Sequence, residues 1–321
     1  MRSGGTSEEM KVINGLENVT QPFKNPVLTI GNFDGVHLGH QQLFKHVLKR
    51  AREINGEAIV MTFYPHPLKV LRPENSGPPV ITCHNQKIRL IEQCGIDAVI
   101  TVNFTKEFAQ LSAREFVENI LLKKIGLKVI VVGWDYQFGR NREGNIEFLK
   151  EEGKRLGFAV EVLDSIKVNG MIVSSTMVRK CVLEGDLKKA EKLLGRKYEI
   201  AGEVVKGRDR GGRLLGFPTA NIRMDDKLCP QTGVYAVEVV VDGKVYGGAA
   251  NIGYNPTFGD ESLSLETHIF DFSGDLYGKE IVVRLVERLR EEKKFSGPEE
   301  LAKQISIDIE KAKKILSNIQ T

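Results

Sequence analysis

The ten residues from Gly31 to His40, GNFDGVHLGH, combine glycines with two histidines in a pattern that suits phosphate chemistry. They follow an apolar run and precede a helical pattern, so the unpaired N–H groups of a helix N-terminus can point at a bound anion. Gly39 lets a phosphate approach the backbone, and His37 and His40 add hydrogen-bond donors that a bound phosphate can hold in the cationic form. The segment predicts a clamp for adenylyl transfer, in which a nucleophile attacks the α-phosphate of a nucleotide and pyrophosphate leaves.

The same residues have plainer interpretations. His37 and His40 can be two surface histidines near a turn, although their place after the first predicted strand favours a functional role. Asn32 and Asp34 can contact a ligand, or Asp34 can only hold the turn through an Asx hydrogen bond. Both possibilities stay open for these two residues.

A second helix-opening segment, SSTMVR, runs from Ser174 to Arg179. Ser175 or Thr176 can simply be an N-cap, which contributes about 1 kcal/mol to stability. Hydroxyls, free N–H groups and Arg179 together also suit a triphosphate tail, and the histidine clamp needs such a partner to hold the leaving pyrophosphate.

Two further segments follow predicted strands and are expected to border the same crevice. In VVGWDYQFGRNREG the strand ends at Gly133 and is followed by Asp135; Trp134 or Tyr136 can equally belong to the core. TFYPHP places His66 after the second strand, where lining the site and lying outside it are equally open.

The most informative segment of the second half is GRDRGGRLLGFPTANI, from Gly207 to Ile222, which is rich in glycine and arginine. These residues can wrap a polyphosphate or form a solvated basic hairpin. Thr219 and Asn221 lie two residues apart, on one side of an extended chain. Their neutral oxygens suit Mg²⁺, which retains waters and substrate phosphates. Glu266 lies in an apolar pattern, where it either faces solvent or serves as a general base.

The predicted secondary structure around these residues differs between the two halves of the chain. The first half alternates nearly continuous apolar strands with helical stretches, which predicts a doubly wound parallel sheet whose ligands bind at the carboxyl ends of the strands. The predicted strands are 27–32, 57–63, 97–102, 128–133 and 158–163, and the helical stretches are 42–54, 87–94, 113–125 and 146–156.

After about residue 198, strand-like runs are separated by Gly, Asp and Pro turns, which predicts a small antiparallel barrel. These runs are 198–205, 234–241, 244–252, 265–272 and 280–289, and a final helix over 298–316 starts at Ser296 or Pro298. Two short helices over 176–195 precede them. We therefore expect one domain over 10–190 and a second over 195–321, with residues 1–9 as a polar extension outside the fold.

Composition limits the function classes. A net charge of +4 and 7% aromatic residues are too small a basic and stacking signal to indicate a nucleic-acid partner. No apolar run approaches the roughly 20 residues that span a bilayer, and no signal peptide is recognisable. The four cysteines are scattered, so we expect a cytoplasmic protein with neither a disulfide framework nor a zinc site.

Eight segments, in order and across both halves, resemble the bacterial bifunctional riboflavin kinase/FMN adenylyltransferase family from about Lys11 onward. They are GNFDGVHLGH, TFYPHP, VVGWDYQFGRNREG, VSSTMVR, GRLLGFPTANI, NIGYNPTF, ETHIFDFSGDLYGKEI and RLREEKKF. The resemblance implies a Rossmann-like α/β nucleotidyltransferase domain, followed by a six-stranded antiparallel riboflavin kinase barrel with a C-terminal helix. Tyr136 departs from the family, where Phe is common, but its ring can still cover a flavin.

The resemblance also implies roles for individual residues. His37 and His40 would stabilise adenylyl transfer, Glu266 would be the catalytic base of the kinase, and Thr219 and Asn221 would hold Mg²⁺ with ATP. Flavin contacts are expected from His66, Asp135, Tyr136 and Arg290. Nucleotide contacts are expected from Gly31, Asn32, Phe33, Asp34, Gly39, Ser174, Ser175, Thr176, Arg179, Gly207, Arg213 and Gly216.

The expected function is therefore phosphorylation of riboflavin to FMN, followed by adenylylation of FMN to FAD, with ATP as donor in both steps. Only the first step needs a base, because the FMN phosphate is already an anionic nucleophile. Two alternatives remain: an enzyme with one degenerate half, and a non-catalytic flavin- or RNA-binding regulator. Turnover of riboflavin would argue against the regulator, and a steep salt dependence of RNA affinity would support it.

Overall fold

The structure, a computed structural model, describes residues 9–72, 77–206, 217–224, 227–254 and 263–318. The chain divides into two compact units, Met1–Pro78 with His84–Val173, and Pro79–Cys83 with Ser174–Thr321. Among the described residues, no helix is both long enough and apolar enough to cross a membrane.

The first unit is built on a six-stranded sheet in which every pairing is parallel. Its strands are β1 (Lys11–Asn14), β2 (Val27–Ile30), β3 (Ala58–Tyr64), β4 (Ala98–Asn103), β5 (Val129–Gly133) and β6 (Ala159–Leu163). Their order across the sheet is β1-β4-β3-β2-β5-β6. The chain moves outward from β2 to β4 and returns to β5 beside β2, so the strand order reverses between β2 and β5.

Helices cover both faces of this sheet. They are α1 (Leu38–Glu53), α2 (Pro67–Leu71), α3 (His84–Gln93), α4 (Ala113–Glu115) and α5 (Ile146–Leu156). One buried cluster joins α1 and α3 to Val27, Val60 and Val99, and the other joins α5 and the segment after α4 to strand residues of opposite parity. The prediction of a doubly wound parallel sheet is confirmed.

The predicted helix over 113–125 takes a different form. Only Ala113–Glu115 is α-helical, and Phe116–Lys124 continues as a π-helix. The wider turn still buries Phe116, Val117 and Leu121 against the sheet. The apolar spacing therefore identified the buried face, although it could not distinguish the two helical pitches.

The second unit contains a closed six-stranded barrel. Its strands are β9 (Glu199–Val205), β10 (Ala220–Arg223), β11 (Gly233–Val241), β12 (Lys244–Tyr254), β13 (Leu263–Ile269) and β14 (Glu280–Arg290), in the closed order β10-β13-β12-β11-β14-β9. All pairings are antiparallel, as predicted. The last helix, α8 (Pro298–Ser317), packs on the barrel through Ile309, Ala312 and Leu316 and begins with Pro298 at its first turn.

Four strands were not predicted: β1, β10, and the two-residue hairpin strands β7 (Lys167–Val168) and β8 (Met171–Ile172). All are short, so they show little periodicity. The two short helices before the barrel, α6 (Ser175–Leu183) and α7 (Leu187–Leu194), are present, and α7 ends at Gly195 in the left-handed conformation.

Candidate active sites

The loop after β2 adopts an unusual backbone before α1 begins. Phe33, Gly35 and Val36 all have positive φ angles, of 47°, 87° and 40°. For a β-branched residue such as Val36 this conformation is a genuine outlier, which costs on the order of 1–3 kcal/mol. Val36 is held there because its side chain is buried and the Gln41 side-chain amide donates to its carbonyl.

The two histidines come together at the start of α1. His37 is the N-cap, and its Nδ1 accepts a hydrogen bond from the His40 amide at 3.3 Å. The two rings stack with centroids 3.6 Å apart, and Phe33 meets the His40 ring edge-on at 5.2 Å. Because Nδ1 of His37 is an acceptor, a neutral His37 carries its proton on Nε2 and can donate from there.

Gly39 lies where a side chain would crowd the His37 ring. A Cβ atom at this position would be 3.0 Å from the His37 ring and 3.6 Å from the carbonyl oxygen of Val173. The absent side chain therefore leaves the first turn of α1 and the flank of His37 accessible to a ligand.

A buried lysine that the sequence interpretation missed anchors this loop. Lys87 of α3 is 7% exposed, and its ammonium donates to the Asn32 carbonyl, the Thr62 hydroxyl and the Phe63 carbonyl at 3.1, 2.9 and 3.3 Å. Burial lowers the pKa of Lys87 to about 8, and the charge of the buried Asp34 opposes that shift. Lys87 thus ties the start of the phosphate loop to the end of β3.

The loop after β5 leaves the sheet beside the histidine loop, because β2 and β5 are neighbours. Tyr136 stacks on Phe138 at 5.5 Å and packs against the core, and burial raises its pKa. Asp135 is exposed, and Trp134 is 53% exposed, so the suggestion that Trp134 belongs to the core is wrong. Asp135 of this loop therefore faces solvent, whereas Tyr136 faces the core.

The remaining helix-opening residues have visible local roles. His66 caps α2, and its Nδ1 accepts from the Leu68 amide at 3.2 Å. In the second unit the N-cap of α6 is Ser174, whose hydroxyl accepts from the Met177 amide at 3.2 Å, rather than Ser175 or Thr176 as suggested from sequence. Arg179 donates to the Pro79 carbonyl at 3.0 Å.

A polar row crosses three strands of the barrel. Glu266 on β13 is paired in register with Asn221 on β10 and with Asn251 on β12, so the three side chains share one face. The flanking register partners Ile222, Leu265 and Ile252 are buried and alternate onto the other face. Asn251 was not identified from the sequence, because only the cross-strand register brings it beside Glu266.

This row has the chemistry of a cation and proton site. Burial raises the pKa of Glu266 above its ordinary value. Asn221 is 5% exposed, and its Oδ1 makes no hydrogen bond within the described part of the chain, while its Nδ2 donates to the Thr219 carbonyl at 3.4 Å. A buried carbonyl oxygen beside a carboxylate is a donor set that fits Mg²⁺.

Arg290 forms an ion pair and hydrogen bonds within the second unit. Its Nε and Nη2 atoms contact the buried Asp308 carboxylate of α8 at 2.8–3.1 Å, and its Nη1 donates to the Glu291 carbonyl. This bidentate pair joins the last barrel strand to α8. Gly207, Arg213 and Gly216 lie outside the described residues.

A parallel sheet with a phosphate-directed loop at its switch point, followed by a barrel with a half-buried carboxylate between two asparagines, defines a two-domain phosphate-transfer enzyme. Family comparison agrees: the FAD synthetase family matches residues 20–177, and the riboflavin kinase family matches residues 194–316. The chain belongs to the bifunctional riboflavin kinase/FMN adenylyltransferase family.

Full-length relatives carry that name. The protein from Buchnera aphidicola subsp. Acyrthosiphon pisum is 41% identical over 94% of this chain and 96% of its own length. The Escherichia coli K12 protein is 40% identical over 93% and 96%. A crystal structure described as a macrolide-efflux protein from Streptococcus pneumoniae is 33% identical, with a TM-score of 0.81 over 95% of this chain and 99% of its own, and supports the fold.

Proposed function

We propose that the parallel-sheet half catalyses adenylylation of FMN to FAD and that the barrel half phosphorylates riboflavin to FMN, with ATP as donor for both. The functional halves are assigned to residues 10–190 and 195–321, in the cytoplasm. The ranges of the two family matches support this division, although the compact units divide earlier, between Val173 and Ser174.

In adenylyl transfer, an oxygen of the FMN phosphate attacks the α-phosphorus of ATP, the bond to the β-phosphate oxygen breaks, and pyrophosphate leaves. The nucleophile is already an anion, so the site must mainly stabilise charge. The Nε2 proton of His37, the ring of His40 and the amides at the start of α1 supply donors, with Gly31, Asn32, Phe33, Asp34 and Gly39 shaping the loop. Ser174, Ser175, Thr176 and Arg179 are assigned to the pyrophosphate.

In phosphorylation, a riboflavin hydroxyl attacks the γ-phosphorus of ATP, its proton passes to the Glu266 carboxylate, and ADP leaves. The raised pKa of Glu266, caused by burial, makes this carboxylate a better proton acceptor than an exposed one. His66, Asp135 and Tyr136 are assigned to the FMN that the sheet half uses. Arg290 is assigned to riboflavin binding in the barrel half. It is the last residue of β14, and its ion pair with Asp308 positions this end of the strand.

Magnesium is assigned to the barrel half. Asn221 Oδ1, buried without a hydrogen-bond partner within the described residues, and the neighbouring Thr219 would hold it with ATP. When bound, the ion would neutralise phosphate charge.

The observation that carries the proposal is that the two halves hold different reactive groups: stacked histidines at a helix N-terminus in one half, and a half-buried carboxylate beside two asparagines in the other. The test supplies purified protein with riboflavin, ATP and Mg²⁺ and separates the flavins by chromatography. His40→Ala should accumulate FMN without FAD. Glu266→Gln should make FMN far more slowly than wild type, yet convert added FMN to FAD. A folded variant that loses both activities would refute the two-site assignment.

A further inference from the structure

The parallel-sheet unit contains a cavity of about 690 Å³ that the phosphate loop does not line. It lies at the carboxyl ends of β1 and β4, against α3 and the turn after β1. In the sheet order, β3 separates this edge from the switch point between β2 and β5. A volume of this size lies within the range of small-molecule sites, about 300–1,000 Å³.

Two buried polar atoms of the lining have no partner within the described parts of the chain. Thr101 is 6% exposed, and its Oγ1 makes no hydrogen bond there. The Nδ1 atom of His84 is also buried without a hydrogen bond. Strand alternation places Thr101 on the face of β4 that carries Val99 and packs under α3, and Thr101 lines the cavity there. A ligand that hydrogen-bonds to these groups would offset the cost of burying them.

The lining also offers a flat ring and amide groups. The Tyr64 ring is 55% exposed and lies 4.6 Å from the His84 ring. The side chains of Asn85 and Asn103 are exposed at the cavity wall. A side-chain amide offers a hydrogen-bond donor and an acceptor, which is the pattern along the edge of a nitrogen heterocycle. An aromatic side chain can stack on the face of the same heterocycle.

The charges of the lining disfavour phosphate. Arg89 is the cationic lining residue, and two carboxylates, Glu17 and Glu92, line the same cavity. Burial and the charge of Lys87 lower the pKa of His84 to about 4, so its imidazole is neutral at pH 7. The balance suits an uncharged ligand.

We propose that this cavity binds an uncharged planar nitrogen heterocycle of nucleoside size, stacked on Tyr64 and hydrogen-bonded to Thr101 and Asn85. Riboflavin and adenosine share this chemistry. The proposal is independent of the residue roles assigned to either reaction, because none of those residues lines the cavity.

The test uses full-length protein labelled at the isoleucine δ1 methyl groups, because Ile88 lines the cavity and reports binding locally by NMR. Riboflavin and adenosine are titrated separately, each beside its phosphorylated counterpart, FMN or AMP. Thr101→Val removes the hydroxyl, and Asn85→Ala removes an exposed amide. Thr29→Val is the matched control: Thr29 is a fully buried threonine of the same sheet, also without a hydrogen bond within the described residues, and it lies outside the cavity.

The Ile88 resonance should move saturably with riboflavin, with adenosine or with both, and the compound that moves it identifies the ring. Thr101→Val and Asn85→Ala should each weaken this binding about tenfold, while Thr29→Val leaves it unchanged. FMN and AMP should bind more weakly than riboflavin and adenosine. The proposal is overturned if neither nucleoside moves Ile88, if both variants bind like wild type, or if the phosphorylated compounds bind as tightly.

Discussion

The loop from Gly31 to His40 and the row of Asn221, Glu266 and Asn251 offer very different groups to a phosphate. The loop presents imidazole N–H donors and helix amides on a strained backbone, with φ of 40° at Val36. The row presents a carboxylate and amide oxygens on three paired strands, where register sets their positions. One region is shaped by local conformation, and the other by long-range pairing.

The difference follows from the charge of each nucleophile. An FMN phosphate arrives as an anion, so a carboxylate beside it would repel it, and hydrogen-bond donors are what the reaction needs. A riboflavin hydroxyl arrives neutral and must lose a proton, so a carboxylate is needed and a cation must balance it. Each region carries the set of groups that its own reaction requires.

The largest effect is expected at His37, where capping of α1 and hydrogen-bond donation to the phosphate can be tested separately. His37→Ala removes both the cap of α1 and the Nε2 donor, whereas His37→Asn keeps a good cap and removes only the ring. Both should lower kcat for FMN adenylylation by about 10²–10³-fold, the typical effect of losing one transition-state donor.

Only the alanine variant should also lose stability, by about 1 kcal/mol in denaturant unfolding. Riboflavin phosphorylation should be unchanged in both variants and serves as the internal control. Full adenylylation activity in His37→Asn would show that the ring acts only as a cap.

A second prediction concerns Lys87, which anchors the loop from below. Lys87→Met keeps the length of the side chain but leaves the Asn32 and Phe63 carbonyls without their ammonium partner. Adenylylation should fall by at least about tenfold, since displacement of a binding loop weakens transition-state contacts, while phosphorylation stays normal. Lys49→Met, at an exposed lysine of α1, is the matched control.

The stability of the Lys87 variant should depend on pH in a defined direction. Folded Lys87 releases its proton near pH 8, and an unfolded lysine releases it near 10.5. Between these values the unfolded state binds more protons, so wild-type stability rises with pH relative to Lys87→Met, by up to about 3 kcal/mol. Denaturant unfolding at both ends of this window measures it, and a constant difference would mean that Lys87 is not desolvated.

Lys87 and Asn251 also show what the sequence could not predict. The loop motif and the apolar strands were recognisable because their signals are local, and the predicted core strands of the sheet appear within a residue or two of the expected positions. A lysine in a helical pattern is normally solvated, so nothing local indicated that Lys87 is buried. Asn251 lies in a Gly- and Ala-rich strand and gains meaning only from its register with Glu266.

The short elements were missed for the same reason. β1 is four residues long, and its place at the sheet edge depends on pairing with β4. The paired residues, such as Lys11 and Ala98, are 87 positions apart in the sequence. The capping of α6 by Ser174 was one residue away from the sequence suggestion, because three hydroxyl residues in a row all suit a cap. Local chemistry was visible, and long-range partners were not.

A third prediction tests the kinase row through pH. Glu266 must be ionised to accept a proton, and burial raises its pKa, so phosphorylation should fall as the pH drops through that raised value. Glu266→Gln cannot titrate, so the ratio of wild-type to variant kcat/KM cancels the ionisation of ATP. This ratio should fall about tenfold per pH unit on the acidic side. A ratio independent of pH would exclude Glu266 as the base.

The smallest effect is expected at Ser174, where a cap and a pyrophosphate contact make opposite demands. Ser174→Ala should cost about 1 kcal/mol of stability, because the Met177 amide loses its acceptor. Ser174→Asp restores the cap, since aspartate caps helices as well as serine does, but it adds a negative charge. If the helix start holds pyrophosphate, Ser174→Asp should be as stable as wild type yet raise KM for ATP in adenylylation several-fold, with phosphorylation unaffected. An unchanged KM would mean that Ser174 acts only as a cap, so that the histidine loop would need another partner for the leaving group.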